Sequence, residues 1–464
     1  MTLLRTLLIA GVSLAAAACA VGPRYHAPVE PPVAVTAQDP HLIASRAEDA
    51  AWWRAFEDPE LDALIQRAQL ANTDLRIAVA RVHQARALFR DAQLDQFPRV
   101  TSSATYARSD EQQPGFGAGR VNLEQADIGF DAAWEIDFFG RVRHGVEAAR
   151  AESEAAGDDV RNAQVTVAAE VARNYLELRG AQARRAVAEQ NAATERETLR
   201  LTDVRFQIGR GDPVDLESAR ARLEATEAAI PALRTAEAQS AHRLAVLVGE
   251  RPGALDAELA ERAQPQRMLA KALAIGDASS FLRRRPDVRA AERRLAAETA
   301  RTGVATADLF PRVRVTGFVG LLSGDVSSLF KSGSQAGAVS PTVTWPAFDL
   351  GGARARLRAQ QARGDESLAV YDQTVLRAIE DLQNALVAYR ERQSQVASLS
   401  RQVDASRRAA DLAHVRYKEG SIDFLRVLDA ERTRLEAEDS LTQAETAANV
   451  DVVTIYKALG GAFG

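Results

Sequence analysis

Few side chains in this chain of 464 residues have the type and spacing to do chemistry. The six histidines (His26, His41, His83, His144, His242 and His414) are scattered, with no His-x-His or His-x3-His pair, so no metal site or triad is written into their spacing. Gly115-x-Gly117-x-Gly119 has the outline of a phosphate loop but follows no strand–helix unit and reads as a surface loop. Arg283-Arg284-Arg285-Pro286-Asp287 reads as the start of a helix, where Pro and Asp are ordinary. A net charge of −5 speaks against a nucleic-acid surface. Neither catalysis nor a metal or diffusible cofactor is expected.

One covalent reaction is written into the N-terminus. Arg5, an apolar stretch from Leu7 through Ala18, and small residues before Cys19 read as a secretory signal spanning residues 1–18. The only cysteine stands at the cleavage point, the arrangement of a bacterial lipoprotein whose thiol is acylated and becomes the mature N-terminus, although Ala16 stands where Leu is commoner. A single acyl chain binds a bilayer marginally and two signals hold stably, so a fully acylated Cys19 is a firm anchor. Ala20 follows it, where lipoproteins held at the inner membrane typically carry Asp, so the expected location is the outer membrane.

No later segment offers about 20 consecutive apolar residues, so any further crossing must use strands. From about residue 126 to 138 the chain alternates with period two. Ile128, Phe130, Ala132, Trp134, Ile136 and Phe138 share one face, and Asp127, Asp131, Glu135 and Asp137 share the other. A strand is also expected at residues 99–108. Later, Val313, Val315, Val319 and Leu321 oppose Arg312, Arg314 and Thr316, and Val339, Val343 and Trp345 oppose Ser340, Thr342 and Thr344. Apolar-out, polar-in alternation is the pattern of an outer-membrane barrel, which puts the acids on a lumen-facing strand. Pro341 is expected at a strand end. Bacterial single-chain barrels begin at about 8 strands, so four strands imply a barrel shared among chains.

The strands belong to a tandem repeat. Phe97-Pro98-Arg99-Val100 returns 213 residues later as Phe310-Pro311-Arg312-Val313, and Trp134 and Gly209 return 211 later as Trp345 and Gly420. Each half reads helix (about 58–96 in the first), strand pair, very long helix, turn and returning helix. The long helices are expected near residues 143–208 and 353–419, the second with a seam of Val375, Ile379, Leu382, Leu386, Tyr389 and Val396, and each rises roughly 100 Å. No single domain buries such a rod, so lateral packing against others is required. Pro231 is expected to kink the first returning helix. Segment boundaries fall at 1–18 (signal), 19–57 (lipidated N-terminal segment), 58–255 (first repeat), 256–284 (connection) and 285–464 (second repeat).

These residues resemble a known family, the TolC-like outer-membrane efflux proteins, in their lipoprotein branch (OprM/NodT-like outer membrane factors). The likeness is carried by Cys19-Ala20-Val21-Gly22-Pro23-x-Tyr25, Trp52-Trp53-x-x-Phe56-x-Asp58-Pro59-x-Leu61, Asn72-x-Asp74-Leu75-Arg76, Arg284-Arg285-Pro286-Asp287-Val288, Phe348-Asp349-Leu350-Gly351-Gly352 and Tyr456-Lys457-Ala458-Leu459-Gly460-Gly461. The resemblance implies a mainly α fold with a membrane β part, a homotrimer whose chains share a twelve-stranded outer-membrane β-barrel above a periplasmic α-barrel. It also implies partners: a periplasmic adaptor and an inner-membrane pump of the resistance-nodulation-division type. The chain would be the passive exit duct for drugs or other toxic solutes; the alternatives are a duct for type I protein secretion, or a non-pore lipoprotein coiled-coil scaffold. Tyr417-x-x-Gly420 with Val427-Leu428-Asp429-Ala430 resembles the family's periplasmic tip. That places a gate at Asp429, Arg426, Asp423 and Tyr417, with Asp212 and Asp215 on the companion turn. Arg426 stands where an aspartate ring is usual and is expected to be the counter-charge of Asp429. The breaks at the far ends of the long helices, Gly209-Arg210 and Gly420-Ser421, are the expected adaptor-docking turns.

Overall fold

The computed structural model describes residues 20–29, 42–43, 51–112, 120–260, 273–274 and 281–461. Cys19, the signal segment and the glycine loop at 115–119 lie outside them. The first half runs α1 (Pro59–Ala71), α2 (Thr73–Leu94), β1 (Arg99–Gln112), β2 (Arg120–Ile136), α3 (Arg141–Gln207) and α4 (Pro213–Leu247). The second runs α5 (Pro286–Ala307), β3 (Arg312–Ser323), β4 (Gln335–Thr344), α6 (Leu350–Lys418) and α7 (Phe424–Ala458). Both ends of α5 fall 213 residues beyond those of α2, and both ends of α7 fall 211 beyond those of α4. The hydrogen bonds repeat at the same intervals: Trp134 Nε1–H donates to Gln96 O and Trp345 Nε1–H to Leu309 O, each at 3.0 Å. The fold is therefore two copies of one unit.

Compactness follows a different division. One compact unit takes residues 1–29, 80–158 and 289–373, and the other takes 30–79, 159–288 and 374–464, so each draws on both repeats. The first unit carries the four-stranded antiparallel sheet, ordered β1-β2-β3-β4. Its register sets Asp131 beside Thr101 and Phe318, and Ala132 beside Val100 and Gly317. Side chains alternate across a strand, so Ile128, Phe130, Trp134, Val319, Val339 and Val343 share one exposed apolar face. Asp127, Asp131, Thr101, Thr316 and Ser340 share the other. On this polar face the Phe318 ring lies across the paired glycines Gly129 and Gly320, where an added Cβ would approach it to less than 3.0 Å. Among the described residues, neither β1 nor β4 has a strand partner on its outer edge. No described helix is long and apolar enough to cross a membrane.

Two expectations change. The single helix over 58–96 is broken at Asn72, whose buried carboxamide takes over the backbone: its oxygen accepts from Asp74 N (2.8 Å) and Leu75 N (3.1 Å), and its nitrogen donates to Leu247 O (2.8 Å). This is N-capping, and it starts α2 afresh. Pro341 lies inside β4, paired with Val315, and not at its end. An edge strand tolerates proline because a missing N–H on the open side breaks no ladder bond within the chain. Pro231 lies inside α4, which runs on past it as one helix, the position at which a proline kink is expected.

The second compact unit is a helical core pinned by polar groups. Trp52 stacks on Tyr456 (5.1 Å between centroids), the Tyr175 hydroxyl donates to Asp58 (2.7 Å), and buried Arg179 pairs with Glu60 (2.7 Å). Burial raises the Tyr175 hydroxyl above the ordinary phenol range, with the Asp58 contact adding to it. Arg285 donates to Ala458 O (3.0 Å) and pairs with Asp287 and Asp381, so the arginine run serves packing. Along α6 the buried stripe is Tyr371, Val375, Ala378, Leu382, Ala385, Tyr389, Val396 and Val403. Alternating steps of three and four are as expected, but Ala378 and Ala385 occupy the seam where Ile379 and Leu386 were placed; these two lie only partly buried beside it. Small residues let helices approach closely, as where Val396 packs on Ala444 and Ala448.

A charge on the apolar face at mid-depth of a bilayer costs about 2–4 kcal/mol, whereas a lumen change does not. Ala132→Arg is therefore expected to reduce assembled protein in the outer membrane far more than Asp131→Arg, measured by heat-modifiable oligomer on gels. Equal losses would put the strand in the wrong register.

Candidate functional site

The polar face, the strand–helix junction and the helix turns are where the sequence placed functional residues. On the polar face Asp131 accepts from Ser103 Oγ (2.5 Å), and Asp127 from Gln125 Nε2 (3.4 Å). Glu135 and Asp137 have a different role. Asp137 lies one residue past β2, and its carboxylate accepts from the Arg143 backbone N–H (2.9 Å) and from Arg143 Nε (3.2 Å). Glu135 forms a two-bond pair with Arg141 (2.6 and 2.7 Å), which holds that guanidinium's pKa above its usual value. The first turn of α3 has free N–H groups and the positive end of the helix dipole, and carboxylates settle there, while Glu135 itself remains within β2 on the face of Asp127 and Asp131. Asp137 therefore belongs to the start of α3, beyond the strand face on which Asp127 and Asp131 lie.

The turns after α3 and α6 are built alike. Gly209 (φ 72°) and Gly420 (φ 74°) adopt the left-handed conformation, while Arg210 N donates to Arg205 O and Ser421 N to Arg416 O, each at 2.9 Å. These are glycine C-caps in which the next N–H closes the last turn. Asp212 then caps α4, accepting from Val214 N (2.8 Å), and Asp423 caps α7, accepting from Arg426 N (3.0 Å). Two of the proposed gate acids therefore define helix starts. Asp215 joins them: burial raises its pKa, and the negative charges of Asp212 and Asp423 raise it further.

Tyr417 does not stand free at this tip. It packs against the cluster of Ala219, Phe424 and Val427, its ring 5.3 Å from that of Phe424, with the Arg205 guanidinium 4.4 Å above it. Arg205 escaped sequence reasoning because a cation over a ring leaves no local spacing signature. Its only trace was the repeat, since Arg416 stands 211 residues later. The counter-charge of Asp429 is Arg432, at 2.8 Å, and not Arg426. An acid N-terminal to its base is the favoured order on a helix, and Arg432 satisfies it where Arg426 reverses it. Arg426 is exposed and makes no ion pair among the described residues. His414 of α6 meets Glu431 of α7, which Arg434 also pairs at 2.7 Å. The described residues include no group of three or more His, Cys, Asp or Glu placed to hold a metal ion.

Residues 64–250 and 278–461 each match the family described as outer membrane efflux protein. The chain belongs to that family. Outer membrane protein OprJ of Pseudomonas aeruginosa is 30% identical over 455 residues, which cover 97% of this chain and 94% of OprJ. Cation efflux system protein CusC of Escherichia coli (strain K12) is 28% identical over 453 residues, 97% of this chain and 98% of CusC. The solved structure of the outer-membrane channel OprN matches with a TM-score of 0.92 at 46% identity, over 96% of this chain and 99% of that one. Long helices with a four-stranded membrane β part are thus the fold of an outer-membrane efflux channel, and export through the outer membrane is the function of the chain.

Asp215 is expected to make the turns sensitive to pH, with the sign set by its raised pKa. An acid whose native pKa lies above its unfolded one holds more proton when folded, so the packed turns lose stability as pH rises through the native Asp215 value. Channel opening in planar bilayers is expected to increase as pH rises through that titration, and Asp215→Asn to flatten the dependence. An unchanged profile in the variant would remove Asp215 from the closed tip.

Proposed function

We propose that this chain is the exit duct of a tripartite efflux system, in which three copies close their strands into one barrel and bundle their helices into a periplasmic tunnel. The observation that carries the reading is the sheet: one face apolar, the other lined by Asp127 and Asp131, and both edges open. A barrel without edges is the only strand structure stable in hydrocarbon, and four strands close one only with copies. A coiled-coil scaffold has no use for such a sheet.

Cys19 fits an acylated anchor in this arrangement. Ala20, the next residue, lies against Gly140, and Val21 N donates to Phe139 O (3.1 Å), so the segment that follows Cys19 is held at the strand–helix junction. Acyl chains on Cys19 would enter the bilayer there. The helices α3 and α6, each rising about 100 Å, carry the chain into the periplasm. At their ends the turns around Gly209-Arg210 and Gly420-Ser421 offer exposed backbone to a periplasmic adaptor, itself bound to an inner-membrane pump of the resistance-nodulation-division type. The pump selects the solute, drugs or other toxic compounds, and the duct conducts it passively. Asp429 with Arg432 and the Asp212, Asp215 and Asp423 group supply the charge at the mouth.

Photo-crosslinking amino acids at Arg210 or Ser421 are expected to capture a periplasmic adaptor in intact cells. Crosslinks arising only from the opposite loops, around Gly324, would invert the orientation and overturn the reading.

A further inference from the structure

We propose that a cavity behind the N-terminal strap binds the headgroup of a zwitterionic phospholipid, one with a phosphate and a primary ammonium. The cavity, of about 550 Å³ and open to solvent on one side, is lined by the strap from Ala20 to Tyr25, the first turns of α3, and α5. Its wall carries four guanidiniums, Arg24, Arg143, Arg150 and Arg293, and two carboxylates, Glu147 and Glu154, over an alanine floor on which Tyr25 packs.

Most of these charges are already engaged. Arg143 is held by Asp137, and Arg293 by Glu292 and Glu154, with its guanidinium 5.5 Å from the centre of the Tyr25 ring. The Tyr25 hydroxyl donates to Glu292 (2.7 Å) and fixes that arrangement. Three groups are left over. Arg24 is exposed and makes no ion pair among the described residues. Arg150, 70% exposed, gives Nε to Glu154 (2.9 Å) and keeps its two terminal nitrogens uncommitted. Glu147, 63% exposed, meets His144 Nδ1 through one oxygen (2.9 Å) and keeps the other.

Two guanidiniums and one carboxylate around a cavity match a phosphate and an ammonium joined by a short linker. The planar guanidinium fork fits phosphate oxygens, and a primary ammonium donates to a carboxylate. A volume of several hundred cubic ångströms suits a headgroup with its glycerol. The position agrees, on the reading that Cys19 is acylated: Ala20 lines the cavity, so its mouth lies within one residue of the lipid anchor, at headgroup depth.

The test uses full-length protein extracted in mild detergent and native mass spectrometry, which reads bound lipid on the intact oligomer. Phosphatidylethanolamine is expected to be retained at one per chain, and to outcompete phosphatidylcholine, whose quaternary nitrogen has no N–H to give Glu147. The double variant Arg24→Ala/Arg150→Ala is expected to lower retention about tenfold or more, as loss of charge-assisted hydrogen bonds does. Glu147→Gln is expected to erase the preference for phosphatidylethanolamine over phosphatidylglycerol. The three residues are exposed, and oligomer mass in the same spectrum reports that each variant has assembled. Equal retention by the double variant, or equal binding of phosphatidylcholine, would overturn the proposal. Displacement of the lipid by inorganic phosphate alone would do the same, assigning the cavity to a free anion. Denaturing the sample separates the two readings. Lipid that stays covalently on residue 19 reports acylation, and lipid that leaves reports the cavity.

Discussion

Backbone groups in hydrocarbon have no water to turn to, and this constraint governs the chain. A sheet of four strands with an apolar face satisfies its inner ladders and leaves two edges unpaired. Among the described residues of one chain, those edges and the exposed face formed by residues such as Phe130 and Val319 have no partner. The same holds along α6, where only one narrow seam is buried and Leu376 and Val387 remain exposed on other faces. Strands and helices alike are therefore built for neighbours, and the alanine seam allows helices this long to lie close together.

The junction between sheet and helix shows how the two parts are joined. The polar alternation of β2 ends in two carboxylates, Glu135 and Asp137, that grip Arg141 and Arg143 at the start of α3. Trp134 and Trp345 then tie the two strand bases to the ends of α2 and α5 through Gln96 O and Leu309 O. These ties occur in both repeats, so each repeat carries its own joint. The strap after Cys19 packs at the first of them, with His144 Nε2 3.0 Å from Val21 O. The segment from Ala20, the strand base and the helix start thus meet in one place.

Much of this could be read in the sequence because it is periodic. The faces of β2, the repeat intervals and the glycine turns follow from steps of two, from recurrence and from the freedom of glycine to take positive φ, and each appears in the structure at the expected residues. What escaped depends on contacts between distant segments. Asn72 breaks its helix because it reaches Leu247, and Arg205 covers Tyr417 from another helix; neither has a local signature. Asp429 pairs with Arg432 although Arg426 is as near in sequence, because the order of charges along the helix favours the later arginine. Asp137 was read as strand because alternation persists one step past the point where the helix takes its carboxylate.

The central claim is that β2 divides lipid from water residue by residue. The chain has one cysteine, at position 19, so single cysteines introduced between residues 127 and 134, leaving out Gly129 whose place Phe318 covers, report cleanly on labelling in intact outer membranes. Period two is expected: a membrane-impermeant maleimide modifies cysteines at Asp127, Asp131 and Ala133, and a lipid-soluble reagent modifies those at Ile128, Phe130, Ala132 and Trp134. Equal reaction of both sets with the water-soluble reagent would contradict it, showing a sheet exposed to water on both faces and no barrel wall.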